Sequence, residues 1–242
     1  MCFTVNVNII KEELEKRFNT SFIDHENFRP SYYYHANSLP ELPVAGHFDR
    51  VFNIRLLKWG LIPGWTEGEE EAQKIRFMTF NARAETLATK SSYKYSLRSR
   101  RCLIPVRGFF EWQHKGGTKI PWYIYPVHSD IMLLAGLYDT WKNPGGNESI
   151  NTFTIVTTQS NNLLSEIHNT KKRMPLILEE EKAEKWLDIN TGDVDIEEIL
   201  EPYPDELLKA HTISPLINSK RINRNTPELI EAYSYPDQTA LF

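Results

Sequence analysis

Apolar positions in this 242-residue chain fall mostly into short β-branched and aromatic blocks separated by turn residues, a pattern that favours strands over a helical bundle. Three blocks, Trp122 to Val127, Ile131 to Tyr138 and Thr152 to Thr158, are divided by His128-Ser129-Asp130 and by Asn143-Pro144-Gly145-Gly146-Asn147. They read as consecutive antiparallel strands. From Ser31 to Ile62, Tyr, Pro and Val predict extended segments with turns around Pro40 and Pro43. Helical spacing is rarer. Ile10, Leu14 and Phe18 lie four apart in a predicted helix from Asn8 to Asn19 with Asn8 as its cap. Ser160 is placed to cap a short helix through Leu163 and Leu164, and Glu179 to Leu187 predicts a helix with Trp186 on its buried face. The acidic run Glu67 to Glu71 reads as a solvated loop. The expected fold is α+β: a mainly antiparallel, barrel-like sheet with surrounding helices, in one domain over residues 1–242.

Composition narrows the function classes. With 40% hydrophobic residues the chain can bury a substantial core, and no linker divides it. No apolar run reaches the roughly 20 residues needed to cross a bilayer, and the N-terminus lacks a secretory pattern, so a cytoplasmic protein with no membrane partner is expected. A net charge of −4 argues against indiscriminate coating of DNA, which depends on phosphate neutralisation by Lys and Arg. Cys2 and Cys102 are expected as separate reduced thiols. No cofactor or metal is expected: a zinc site using both cysteines and a histidine lacks the paired ligand spacing such sites show.

Cys2 is the first chemical signal. Release of Met1 would place an α-amine, with a reference pKa of about 7.7 to 8.0, and a thiol, about 8.5, on one residue. Such a 1,2-aminothiol condenses with an aldehyde to an imine, and the thiol then closes a five-membered thiazolidine ring. A small second residue also suits a general methionine aminopeptidase, so self-release and external release of Met1 both stay open.

The blocks Trp59-Gly60-Leu61-Ile62-Pro63-Gly64-Trp65, Asn81-Ala82-Arg83-Ala84-Glu85-Thr86, Arg101-Cys102-Leu103-Ile104-Pro105, Gly108-Phe109-Phe110-Glu111-Trp112, and Ile167-His168 with Arg173-Met174-Pro175 follow Met1-Cys2 in order. Together they resemble the SOS response-associated peptidase family over residues 1 to about 178. The resemblance implies that Cys2 crosslinks to ring-opened abasic deoxyribose in single-stranded DNA, shielding the lesion, with Asn81, Glu111 and His168 as the polar surround. Asn81 would orient the N-terminus. Glu111, among Phe109, Phe110 and Trp112, would carry a raised pKa and shuttle protons. His168 would titrate near neutrality and help open the sugar. Each also has a structural reading: satisfaction of backbone groups for Asn81, an ion pair with an arginine such as Arg83 for Glu111, helix capping for His168. A strand-cleaving lyase step through the imine is conceivable and would be suppressed by ring closure.

For holding DNA, the resemblance implies phosphate contacts by Arg83 and Arg173 and a base-stacking wedge at Trp65, whereas Trp59 reads as core. Lys90, Lys94, Arg98, Arg100, Arg101 and Arg107, interleaved with Tyr93 and Tyr95, form the clearest phosphate-contacting stripe in the sequence. Thr157 and Thr158 are candidates either for a phosphate contact or for strand-end satisfaction. Lys171-Lys172 is either a second basic cluster or a solvated face. Many family members open Met-Cys-Gly-Arg; here Phe3 and Thr4 follow Cys2, which removes an expected cation, and Asn169 to Lys172 stand as extra residues before Arg173. The expected partner is single-stranded DNA containing abasic sites, with the replication machinery as a further one and a nucleoid association on damage. Two other classes compete: a thiol peptidase or amidohydrolase with Cys2 as nucleophile and His168 as base, and a non-covalent reader of damaged single strands.

Overall fold

The computed structural model describes residues 2–143, 145–146 and 149–235. Met1, and with it the expected release step, lies outside the described residues, as do Pro144 and Asn147 of the predicted turn.

Among the described residues the strands are β1 (Thr4–Val7), β2 (Ser31–His35), β3 (Glu41–Phe48), β4 (Val51–Trp59), β5 (Asn81–Arg83), β6 (Arg101–Val106), β7 (Gly108–Lys115), β8 (Thr118–Pro126), β9 (Met132–Lys142), β10 (Ser149–Gln159), β11 (Arg173–Pro175), β12 (Ile177–Leu178) and β13 (Leu208–Thr212). The helices are α1 (Lys11–Phe18), α2 (Glu69–Met78), α3 (Lys94–Ser99), α4 (Asn162–Ile167), α5 (Glu180–Leu187) and α6 (Asp193–Ile199).

Five strands close on themselves in the order β10-β4-β3-β6-β9 and back to β10, with the β10–β4 contact parallel and the others antiparallel. Closure removes the exposed edges an open sheet would leave. Gly136 on β9 shows how tight this wall is. A Cβ there would lie 2.3 Å from Ile104 Cδ1 and 2.8 Å from the Thr154 carbonyl oxygen, so two neighbouring strands press against its backbone. The far half of β10 leaves the barrel to pair with β5 and β11.

A second, antiparallel sheet runs β13-β8-β7-β1-β2. Its pleat sorts side chains by parity. Val5, Phe109 and Ile124 are register partners and join the barrel in the main core. Phe110 and Tyr123 face the other way and are covered by Ile213, Ile217 and Leu229 of the C-terminal segment. The expected α+β fold, a barrel-like and mainly antiparallel sheet with helices around it, is the fold observed. No described helix is long and apolar enough to cross a membrane.

Several local expectations need correction. The three apolar blocks are strands, but only β9 and β10 pair; β8 belongs to the other sheet, so His128-Ser129-Asp130 carries the chain between sheets and is no hairpin turn. Pro43 lies inside β3, opposite Leu56, and is not at a turn. The first helix begins at Lys11, where Glu13 accepts the Ile10 backbone N–H at 3.1 Å, while the Asn8 N–H is turned toward Asn6 Oδ1. Asn161, not Ser160, caps α4, accepting from the Leu164 N–H at 2.9 Å. Glu69, Glu70 and Glu71 are not loop residues: they form the first turn of α2, where the helix dipole favours negative charge. Helix α5 matches its prediction, with Trp186 fully buried and Trp59 likewise in the core.

Candidate functional site

Cys2 stands two residues before the start of β1, so the sheet that fixes β1 also constrains Cys2. Its carbonyl accepts a 2.9 Å hydrogen bond from Asn81 Nδ2. Asn81 opens β5, which is held beside β10 with Asn81 opposite Ile155. This one bond therefore ties the N-terminal segment of one sheet to the strands extending from the barrel. Cys2 is completely buried; burial pushes its thiol well above the ordinary range, and the nearby Glu111 charge pushes it further. The thiol is held as SH, not thiolate, in this state.

Glu111 lies on β7, two residues beyond Phe109, and so projects from the same inner face. Burial raises its carboxyl to about 7, against the pull of neighbouring positive charge that includes Lys171. A carboxyl with that affinity is an even mixture of acid and base near neutrality, as proton shuttling requires.

His168 follows α4, its backbone N–H bonded to the Leu164 carbonyl at 2.8 Å. Its Nδ1 is 2.8 Å from the Arg173 carbonyl oxygen. Because a carbonyl only accepts, Nδ1 carries the proton and Nε2 carries the lone pair. Burial, reinforced by nearby positive charge, lowers the imidazole to about 4. His168 therefore stays neutral at pH 7, which corrects the expectation that it titrates near neutrality. His168 Nδ1 and Glu111 Oε1 are 3.9 Å apart. Phe3, the residue after Cys2, lines one cavity of about 470 Å³ together with Glu111, Trp112, His168, Lys171 and Asn218, and neither Cys2 nor Asn81 is on its wall.

The structure brings the four chemical candidates together and scatters several of the DNA-contact candidates. Arg83 is exposed on β5, two residues from Asn81, and Trp65 is 46% exposed with its indole N–H donated to the Ser91 carbonyl at 3.3 Å. Both are open to a ligand. Arg173 is held by Glu85, with contacts of 2.7 and 3.0 Å, and by the Thr157 carbonyl. Thr157 is fully buried with its hydroxyl donated to the Ala82 carbonyl at 3.3 Å, and Thr158 donates to the Leu200 carbonyl at 2.7 Å. Both threonines take the strand-end role.

Arg101 requires a clear correction. It is buried, and its guanidinium donates to the carbonyls of Leu97, Trp186 and Asp188, sealing the end of α5 against β6. The predicted stripe does not form one surface: Arg100 is paired with Asp139 at 2.7 Å, and Arg107 with Glu13 at 2.5 Å. Asn218 was not legible in the sequence. It enters the site wall by accepting from Trp112 Nε1 at 2.9 Å, a contact between residues 106 apart.

The chain has relatives among known proteins. The family model described as "SOS response associated peptidase (SRAP)" matches residues 1–220. The chain is 38% identical over 227 residues to abasic site processing protein YoqW of Bacillus subtilis, covering 92% of this chain and 95% of that one. It is 33% identical over 235 residues to abasic site processing protein HMCES of Xenopus tropicalis, covering 86% and 68%. A crystal structure of a Bacteroides thetaiotaomicron protein superposes with a TM-score of 0.91 at 33% identity, over 96% of this chain and all of that one.

Proposed function

The chain belongs to the SOS response-associated peptidase family, and from that premise we propose that it processes abasic sites in single-stranded DNA by capturing the lesion's aldehyde covalently on Cys2. The observation that carries this reading is a chain of contacts from four separate segments: Asn81 holds the Cys2 carbonyl at 2.9 Å, the Glu111 charge acts on the buried Cys2 thiol, and Glu111 lies 3.9 Å from His168 on the wall of one cavity.

Once Met1 is gone, the Cys2 amine adds to C1′ of the ring-opened deoxyribose to give a carbinolamine. Glu111, in its protonated form, donates a proton to the departing hydroxyl, and water leaves as the imine forms. The Cys2 thiol then adds its sulfur to the imine carbon while its proton passes to the nitrogen. Ring closure yields a thiazolidine, so aldehyde and aminothiol are converted to crosslink plus one water. Glu111, recharged with the proton released by the amine, is ready for the reverse transfer. The neutral His168 offers its Nε2 lone pair to a sugar hydroxyl during ring opening. Asn81 holds the Cys2 carbonyl and thereby aims the amine, without adding charge. Burial of Cys2 limits competing water, and a thiol held as SH delivers sulfur and proton together.

The test is a denaturing-gel mobility shift with protein whose loss of Met1 is confirmed by mass. A heat- and detergent-stable band that needs both one abasic site in the strand and Cys2 is expected. Its absence with correctly processed protein overturns covalent capture and leaves peptide or amide turnover as the activity to measure.

A further inference from the structure

The sequence places its clearest cation stripe between Lys90 and Arg107, and the structure takes that stripe apart. Lys90 and Arg98 stay exposed, Arg100, Arg101 and Arg107 are taken up by partners, and a second group of cations gathers elsewhere. The β7–β8 hairpin turns through Gly116 and Gly117, at φ +55° and +79°, and carries His114, Lys115 and Lys119 around its tip. Beside it runs the turn 168–172, which carries Lys171 and Lys172.

This turn is locked in place. The Lys172 N–H returns to the His168 carbonyl at 2.9 Å, Lys172 itself sits at φ +48°, and its carbonyl accepts from the Ser160 N–H at 3.1 Å. Asn169 clamps turn to hairpin from both sides: its Oδ1 accepts from the His114 N–H at 3.1 Å and its Nδ2 donates to the His114 carbonyl at 2.8 Å. Two loops from distant parts of the chain are thus joined as one surface. Lys119 and Lys171 then both stand on the wall of the cavity that holds Glu111 and His168. All four lysines are exposed. Arg100, Arg107 and Arg173 each have a carboxylate partner, but no ion pair among the described residues takes up Lys115, Lys119, Lys171 or Lys172. Thr4, where an arginine opens many relatives, is buried and supplies no charge.

We infer that the clamped hairpin and turn, through Lys119 and Lys171 with Lys115 and Lys172 beside them, form the phosphate track that carries the DNA strand past the cavity. The partner chemistry is the polyanionic backbone of single-stranded DNA. Ammonium groups on flexible stems follow a backbone of any sequence as point charges, as a lesion site in arbitrary sequence demands. A track of this kind would let a chain of net charge −4 engage DNA through local positive charge. The inference rests on the proposed reading of the site as one that handles DNA, but not on the covalent step.

The experiment therefore uses an intact single-stranded oligonucleotide, which offers no aldehyde, and follows binding by fluorescence anisotropy over a salt series. Each phosphate contact contributes about 0.7 to the slope of log K against log salt for a single strand. Lys119→Ala and Lys171→Ala are each expected to reduce that slope by roughly 0.7, and the double variant by roughly 1.4. Lys119→Arg and Lys171→Arg should restore it. Lys16→Ala and Lys209→Ala, exposed lysines that line neither surface, serve as comparisons and should leave it unchanged. An unaltered slope in the double variant, or an equal fall in the two comparisons, overturns the track, as does wild-type protein that does not bind the strand at any salt concentration. Crosslinking to an abasic strand is scored separately: lysine-dependent slopes without a Cys2 crosslink would keep the track and reject covalent capture, and a crosslink with lysine-independent slopes would do the reverse.

Discussion

Glu111 Oε1 and His168 Nδ1 face each other across 3.9 Å inside the protein, and burial moves their proton affinities in opposite directions. The carboxyl rises to about 7 and the imidazole falls to about 4. Both changes favour the uncharged forms, so the pair can sit beside an apolar wall without two desolvated charges. A neutral base and a half-protonated acid are therefore available together at physiological pH.

The first prediction concerns pH and stability. A carboxyl of folded pKa about 7 against an ordinary 4.5 binds more protons folded than unfolded between those values, so its contribution to stability falls as pH rises from 4.5 through 7. Glu111→Gln abolishes that fall. In urea titrations the variant should gain on the wild type by up to about 3 kcal/mol between pH 4.5 and pH 8, because each tenfold change in proton affinity is worth about 1.36 kcal/mol. His168 works oppositely: folded pKa about 4 against 6.5 means stability rises with pH across that window. A constant difference between Glu111→Gln and wild type at every pH would contradict the buried, raised carboxyl.

The same substitution should slow crosslinking. Glutamine cannot donate to the departing hydroxyl as an acid or recover the proton, and general acid–base catalysis contributes about 10² to 10⁴ in rate. Single-turnover crosslinking of an abasic strand should be slower by at least about 10² in Glu111→Gln. In the wild type the rate should decline above pH 7 as Glu111 loses its proton. A pH-independent rate would remove Glu111 from the proton path.

Asn81→Ala removes the 2.9 Å hydrogen bond to the Cys2 carbonyl. The expected stability loss is about 1 kcal/mol, the usual net value of one such bond. Crosslinking should fall by a much larger factor, because the bond aims the reacting residue. Rates matching wild type would show that β1 alone positions Cys2.

Trp65→Ala should behave differently from both. At 46% exposure its truncation should change stability by less than about 0.5 kcal/mol. Affinity for single-stranded DNA should weaken by roughly 1 to 3 kcal/mol, the value of one base stacked on an aromatic ring. Unchanged affinity in anisotropy measurements would make Trp65 a bystander.

Arg101→Ala tests the corrected assignment. Three backbone carbonyls lose their donor in a buried setting, so a loss of roughly 3 kcal/mol in urea denaturation is expected. The salt dependence of DNA binding by the folded fraction should be unaltered. A reduced salt slope with unchanged stability would return Arg101 to the DNA surface.

Much of this protein was legible in its sequence because the signals were local or ordered along the chain. Short apolar blocks declared strands, the spacing in Glu179 to Leu187 declared a helix with Trp186 inward, and the ordered motif blocks declared the family and singled out Cys2, Asn81, Glu111 and His168 as the residues to test. Only the tertiary structure decided which strands pair and where each charge ends up. Strand pairing depends on contacts distant in sequence, so β8 and β9, neighbours along the chain, enter different sheets. Charge is decided by the partner that a fold supplies. Arg101 and Arg100 look alike as adjacent letters, yet Arg101 opens β6 and turns into a nest of carbonyls, while Arg100, the residue that ends α3, lies against Asp139. Proton affinity follows the same rule: the letters at 111 and 168 name a carboxyl and an imidazole, and only the packing around them removes the water that would have kept their ordinary values.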